Sequence, residues 1–256
     1  MGIRALTNAQ KKELARHLGS KQTQTKWNSY YSRVRFTADT LAASVYSLAA
    51  GGYVQAFGYG RNQDMAAAGL AGVRATPADT NILTANQTIA GEMVLIEGVS
   101  IIMLSQSDAN FAKRLDQTVS VKIKTNGTTE YLLGIPSMVP GCGGLFGSSE
   151  AWSVAPSIPD ALSRSVGAMS NGIPHSSNFM PLPEPMLWSS AGKGDSTFNV
   201  ELKVEYAAAT IAQFGSAARA AIADYQQAYT PPTAAQTFVD YMIVLVGCTV
   251  NPLSTY

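Results

Sequence analysis

The chain has 256 residues, enough for one large β domain or two small ones, and only 14% of them are charged, against roughly 25% in ordinary soluble domains. The net charge of +1 hides a split: residues 1–38 hold Arg4, Lys11, Lys12, Arg16, Lys21, Lys26, Arg33 and Arg35 against Glu13, which is +7, while residues 39–256 hold ten basic and sixteen acidic side chains, which is −6. Two distant cysteines, Cys142 and Cys248, exclude a disulfide framework, no apolar run approaches a bilayer-spanning helix, and residues 1–18 lack the apolar core of a secretory signal.

Thr7-Asn8-Ala9-Gln10 fits a capping box, and a short basic helix is expected from there to Gly19. Its apolar stripe, Leu14 and Leu18, is narrow, so it orders only when docked on the body, a neighbouring subunit, nucleic acid or lipid headgroups. Residues 20–29 read as a polar link. The chain thus divides into a basic N-terminal arm, 1–29, and a body, 30–256. A basic block beside an acidic body marks contact with nucleic acid or an anionic membrane, the alternative being a solvated surface helix. Trp27, Tyr30 and Tyr31 offer stacking faces for unpaired bases, but the preferred reading is that they anchor the arm to the core and leave the anions to the cations.

From Tyr30 the period is two: Tyr31, Arg33 and Arg35 alternate with Ser32, Val34 and Phe36, which puts Val34 and Phe36 in the core. Residues 46–59 read as strand broken at Gly51-Gly52, and the Ala/Gly-rich stretch 62–77 as a long loop. Residues 93–104 are a strand kinked or bulged near Gly98. Val119, Val121 and Ile123 alternate with Ser120, Lys122 and Lys124, and Asn126-Gly127 supplies a tight turn, so 118–124 and 128–133 form a hairpin.

Residues 134–195 carry eight of the twelve prolines and form an excursion, either one long surface segment or loops between short strands. Its large apolar side chains lack a periodic element on which to build a private core. Phe146, Trp152, Phe179, Met180, Leu187 and Trp188 are therefore the candidate intersubunit contacts, with Leu182 and Met186 beside them. Phe198, Val200, Leu202 and Val204 alternate with Asn199, Glu201, Lys203 and Glu205 as a half-buried strand. Ile211, Phe214, Ala218, Ile222 and Tyr225 predict a helix over 207–229, stopped by Pro231-Pro232. Residues 238–250 are almost continuously apolar and read as a central strand buried on both faces.

Catalytic signals are thin. The histidines are His17, on the basic helix, and His175. In Gly192-Lys193-Gly194-Asp195-Ser196-Thr197 the lysine is followed by glycine and the segment runs into a strand, so it is a turn and not a phosphate loop. No catalytic residue, metal or cofactor is expected, and the chain is read as a non-enzyme.

The basic arm, the β-rich body, the Pro/Gly excursion, the sequence Met180-Pro181-Leu182-Pro183-Glu184-Pro185-Met186 before a strand, and the apolar strand at 241–246 with its short tail 251–256 together resemble jelly-roll major capsid proteins of tailless icosahedral bacteriophages. The resemblance implies a structural subunit that self-assembles into a virion shell in the host cytoplasm. Arg4, Lys11, Lys12, Arg16, Lys21 and Lys26 would face an internal genome or membrane, with minor capsid proteins as further partners. The implied fold is all-β: a jelly-roll sandwich with a short N-terminal helix and one inserted helix. About ten strand candidates favour one elaborated roll over a double roll, which needs roughly sixteen. Two other classes remain, a lectin-like carbohydrate-binding β-sandwich and a β-rich hydrolase.

Overall fold

In a computed structural model of the chain, the structure describes residues 23–37, 40–42, 45–88, 93–104, 115–125, 128–141, 145–154, 162–170, 179–189, 197–211 and 238–252. Alternating β-branched and aromatic residues dominate these segments, and they pair as antiparallel strands. In chain order the strands are β1 (Thr23–Thr37), β2 (Thr40–Ala42), β3 (Val45–Leu48), β4 (Tyr53–Ala56), β5 (Asp64–Met65), β6 (Leu70–Arg74), β7 (Met93–Met103) and β8 (Val119–Thr125). They continue as β9 (Thr128–Gly134), β10 (Leu145–Val154), β11 (Leu162–Ser170), β12 (Met180–Ser189), β13 (Phe198–Val204), β14 (Ala208–Ile211) and β15 (Phe238–Pro252). Helix among the described residues is limited to single turns.

Two four-stranded sheets carry the body, ordered β1-β15-β7-β12 and β4-β13-β8-β9. Their pairings are nested. β1 pairs with β15, β4 with β13, β7 with β12, and β8 with β9, all antiparallel, so the chain runs inward to the β8–β9 hairpin and then retraces itself. The pairs β15·β7 and β13·β8 then join the four ladders into the two sheets. The short sheets β14-β3-β2, β5-β6 and the ribbon β10-β11 are additions to this frame.

Both sheets bury one face in a shared core. Val34 and Phe36 of β1 are sealed, as the alternation predicts, and so are Phe198, Val200, Leu202 and Val204 of β13 and Val119, Val121 and Ile123 of β8. At the centre Trp188 of β12 packs its ring 4.9 Å from Phe198, 5.8 Å from Tyr30 and 6.0 Å from Phe57. Its Nε1–H donates to the Asn86 carbonyl at 3.3 Å. Trp188 is 1% exposed, which corrects its expected place in an intersubunit contact: the indole fills the space between the two sheets of its own chain. Leu182 is buried in the same core, and Met180 and Met186 pack against it.

β15 is central and flanked on both sides, as its apolar run predicts. The irregularity expected near Gly98 is a bulge at Glu97: Val246 pairs with Gly98 and Gly247 with Ile96. The close approach explains the glycines, since a Cβ on Gly98 would run into the Phe179 ring and one on Gly247 into the Leu95 carbonyl. At the same point β12 pairs Pro181 with Gly98 and Met186 with Ile96, so 182–185 form a bulge. β12 is an edge strand, where prolines without an N–H to donate are tolerated.

Several expectations need correction. The polar link 20–29 is strand from Thr23 onward, because Thr23–Ser29 find backbone partners in Val246–Pro252. The excursion 134–195 holds three strands, with the proline-rich run inside β12 rather than ahead of a strand. Residues 208–211, expected to open a helix, form β14 against β3; the rest of that segment lies outside the described residues, as does the helix expected at 7–19. In 62–77 the loop contains β5, β6 and a 3-10 turn closed by Gly69 at φ 82°. The hairpin stands, with Thr125 opposite Thr128; Asn126-Gly127 itself lies outside the described residues.

Candidate arm and contact surfaces

The register of β1 on β15 sets Arg35 opposite Asp240 and Arg33 opposite Met242, so both arginines and Asp240 share the face of the sheet turned away from the core. Arg35 donates Nε–H to Asp240 Oδ1 and Nη2–H to Oδ2, each at 2.7 Å, and Arg33 reaches Oδ2 through Nη2 at 2.5 Å. Arg33 Nη1 also meets Asp79 Oδ1 at 3.2 Å. Burial works against the Arg33 charge, but Asp240 and Asp79 outweigh it and raise its pKa. Burial also pushes Asp79 upward, yet hydrogen bonds from Thr76 and Arg33 hold its carboxyl below the usual range. Arg35 further stacks its guanidinium 3.7 Å from the centre of the Phe238 ring.

This network takes Arg33 and Arg35 out of the charge offered to an outside anion. Of the eight cations at this end, six remain: Lys26 lies in β1 opposite Thr249, and Arg4, Lys11, Lys12, Arg16 and Lys21 precede the described residues. With Glu13 they leave the arm at +5.

The outer edge of β1 is occupied. Asp79 O accepts from Arg33 N at 2.9 Å, Asn81 Oδ1 accepts from Tyr31 N at 2.9 Å, and Asn81 Nδ2 donates to Ser29 O at 2.7 Å. The Tyr59 hydroxyl accepts from Arg33 N at 2.9 Å and donates to Arg33 O at 2.6 Å, and burial pushes it up to about 12. Residues 79–81 thus act as a short cover over an edge that would otherwise invite a foreign strand.

On the second sheet the outward residues of β8 and β13 pair in charge. Lys124 holds Glu201 at 2.7 Å, and Lys122, Lys203 and Ser120 converge on Glu205, which Lys122 and Ser120 pull down to about 2. These carboxylates are engaged by lysines rather than set against each other as an acid and base pair. Among the described residues no group of three or more His, Cys, Asp or Glu is placed to hold a metal. The Cys248 thiol is pushed up to about 11 by burial, with Glu97 adding to the shift, which makes it a poor nucleophile. The Asn86 amide, oriented to satisfy its neighbours, donates to Phe57 O at 3.3 Å and Phe198 O at 3.1 Å, so it is part of the frame.

Of the other expected contact residues, Phe179 is half-buried over Gly98 and Met180 rests on the core. Phe146 and Trp152 fall in β10 and Leu187 in β12, with their side chains outside the described set. The structure brings forward apolar side chains that the sequence pattern did not single out: Leu132 is 66% exposed, Met138 61% and Tyr53 58%. Leu132 stands opposite Lys122 and Tyr53 opposite Lys203, both on the outward face of the second sheet. Only the β9 bulges decide which of Leu132 and Leu133 turns outward. No family model, curated protein or solved structure matches the chain.

Proposed function

We propose that the protein is the repeating subunit of a viral shell, of the kind found in tailless icosahedral bacteriophages, folded as a single elaborated jelly-roll β-sandwich with its basic arm turned toward an internal genome or membrane. The observation that carries the reading is the nested pairing. Counting only the strands of the two large sheets, one to eight in chain order, the sheets run 1-8-3-6 and 2-7-4-5. A long hairpin rolled on itself gives this order, and eight strands complete one roll with two Greek keys. Among the described residues the seven remaining strands are short additions or the β10–β11 ribbon, which supports one roll over two.

A fold alone does not name a function; the charge does the rest. A body with so few charges suits burial against copies of itself, and Leu132, Tyr53 and Met138 are apolar groups on its outside. The six arm cations sit just ahead of β1 or at its start, separated from the paired Arg33 and Arg35, and are the natural partners of phosphate or anionic headgroups. Minor shell proteins are further candidate partners. The subunit needs no catalytic residue or cofactor for this role.

The test is the mass and image of the native particle, followed by deletion of residues 2–22, which stops short of β1. Very large closed particles are expected from the whole chain. The deletion should keep the β circular dichroism spectrum and lose either assembly fidelity or the internal component. Five cations leave with it, and on duplex DNA each phosphate contact adds about −0.9 to the slope of log affinity against log salt. Lipid gives a gentler dependence, roughly 1 kcal/mol per cation near an anionic surface. A monomer or small oligomer at all concentrations, or a deletion that assembles normally around its full contents, would overturn the proposal.

A further inference from the structure

One buried acid takes no part in any of these networks. Asp116 lies in the helical turn 115–118 that leads into β8; it is 9% exposed, and its Oδ1 is sealed from solvent without a hydrogen-bond partner. Two other elements close around it. The Ser137 N–H, in the 3-10 turn Pro136–Met138 after β9, is the one group among the described residues that favours its charged form. Tyr241 of β15 is fully buried, its hydroxyl likewise has no partner, and the Asp116 carboxyl opposes its ionisation. Leu115 and Val139, at 0% exposure, pin the two turns into the core on either side.

Among the described residues the charged groups on the neighbouring elements are committed elsewhere. Asp240, next to Tyr241, is held by Arg33 and Arg35 on the opposite face of β15. Glu205, whose N–H donates to Thr118 O at 2.8 Å, has its carboxylate on Lys122, and the Tyr206 hydroxyl donates to Gln117 O. Among the described residues no cation contributes to the ionisation of Asp116. A carboxylate in such a place carries the full desolvation penalty of its charge, whereas the neutral acid does not.

We propose that Asp116 is a proton-operated latch: uncharged, it lets the 115–118 turn and the Pro136–Met138 turn pack against Tyr241 of β15, and on ionisation it drives the 115–118 turn to open toward water. The latch stands on the subunit's own packing and does not depend on the shell reading. Burial lifts the carboxyl from its ordinary 3.8 to about 6. A raised carboxyl binds its proton more tightly in the closed form, so closure is strongest below about pH 4 and weakens as pH climbs through 6. Linkage between these two values makes the opening equilibrium grow about tenfold from pH 5 to pH 7.5.

The experiment is hydrogen exchange on the full-length protein, read over residues 115–118 as protection factors so that the base catalysis of exchange itself is removed. Wild type should lose about tenfold in protection between pH 5 and pH 7.5, Asp116→Asn should lose none, and Tyr241→Phe should keep the wild-type slope because a phenol does not titrate there. Equal pH dependence in wild type and Asp116→Asn overturns the proposal. Should Asp116→Asn fail to fold, the wild-type profile decides alone: a tenfold loss confined to this turn supports the latch, and a flat profile or one rising with pH sinks it.

Discussion

Replacing Trp188 with alanine separates a core role from an interface role. The indole is 1% exposed, has three aromatic neighbours within 6.0 Å and one hydrogen bond to the Asn86 carbonyl. Truncating a buried Trp to Ala typically removes about 3–5 kcal/mol, combining lost transfer energy with the cavity left behind. Three aromatic contacts, each worth about 0.5–1.5 kcal/mol beyond burial, place Trp188→Ala at the upper end, near 5 kcal/mol. Set against a total stability of about 5–15 kcal/mol, that is enough to leave the subunit marginal. Trp188→Phe retains part of the stack and should lose roughly half as much. The assay is urea unfolding of the protein followed by circular dichroism, since the substitution alters the fluorescence signal. A residue serving only a contact between copies would behave otherwise: the single chain would unfold at the wild-type urea concentration. That outcome would refute the placement of Trp188 between the sheets.

Two further substitutions test the frame. Asp240→Asn leaves Arg33 and Arg35 facing each other without the carboxylate between them, and should destabilise the protein by about 3 kcal/mol in the same urea assay; an unchanged midpoint would mean that the network is dispensable. Gly247→Ala forces a methyl group against the Leu95 carbonyl at the β7 bulge, with an expected loss of about 1–3 kcal/mol, visible as a lower thermal midpoint.

Where one face of a strand is wet, the sequence was readable. The alternation in 119–124 and 198–204 marked β8 and β13, and the double-sided apolar run marked β15 as central. The bulge at Glu97 was announced by Gly98. Other elements were hidden for specific reasons. The start of β1, Thr-Gln-Thr-Lys-Trp-Asn-Ser, has little hydrophobic period, and its place in the sheet is set by backbone pairing with β15. β12 was masked by Pro181, Pro183 and Pro185, which an edge strand can carry in a bulge and a central strand cannot. β14 sits in an alanine-rich run of helical spacing, and its pairing with β3 overrides that local preference. Trp188 was assigned to a contact between subunits because the strand that buries it was itself unrecognised. On the arm, charge alone did not separate Arg33 and Arg35 from the other cations; period two showed that they lay on a strand, but only the register revealed Asp240 as their partner.

The nesting of the strands also dictates the order in which the chain can mature. β1 is made before the other described strands, while β15, the strand that fills the gap between β1 and β7, is made after them. At about 5–20 residues per second, β1 waits on the order of 10–40 s for its partner. Contacts so distant in sequence close slowly, and until then the first large sheet cannot be completed. A polypeptide terminated before β15 leaves β1 without its ladder and removes Tyr241, Ile243 and Leu245 from the core. Such fragments cannot complete the core between the two large sheets, so a chain cut short there is left without the native fold rather than with a trimmed copy of it.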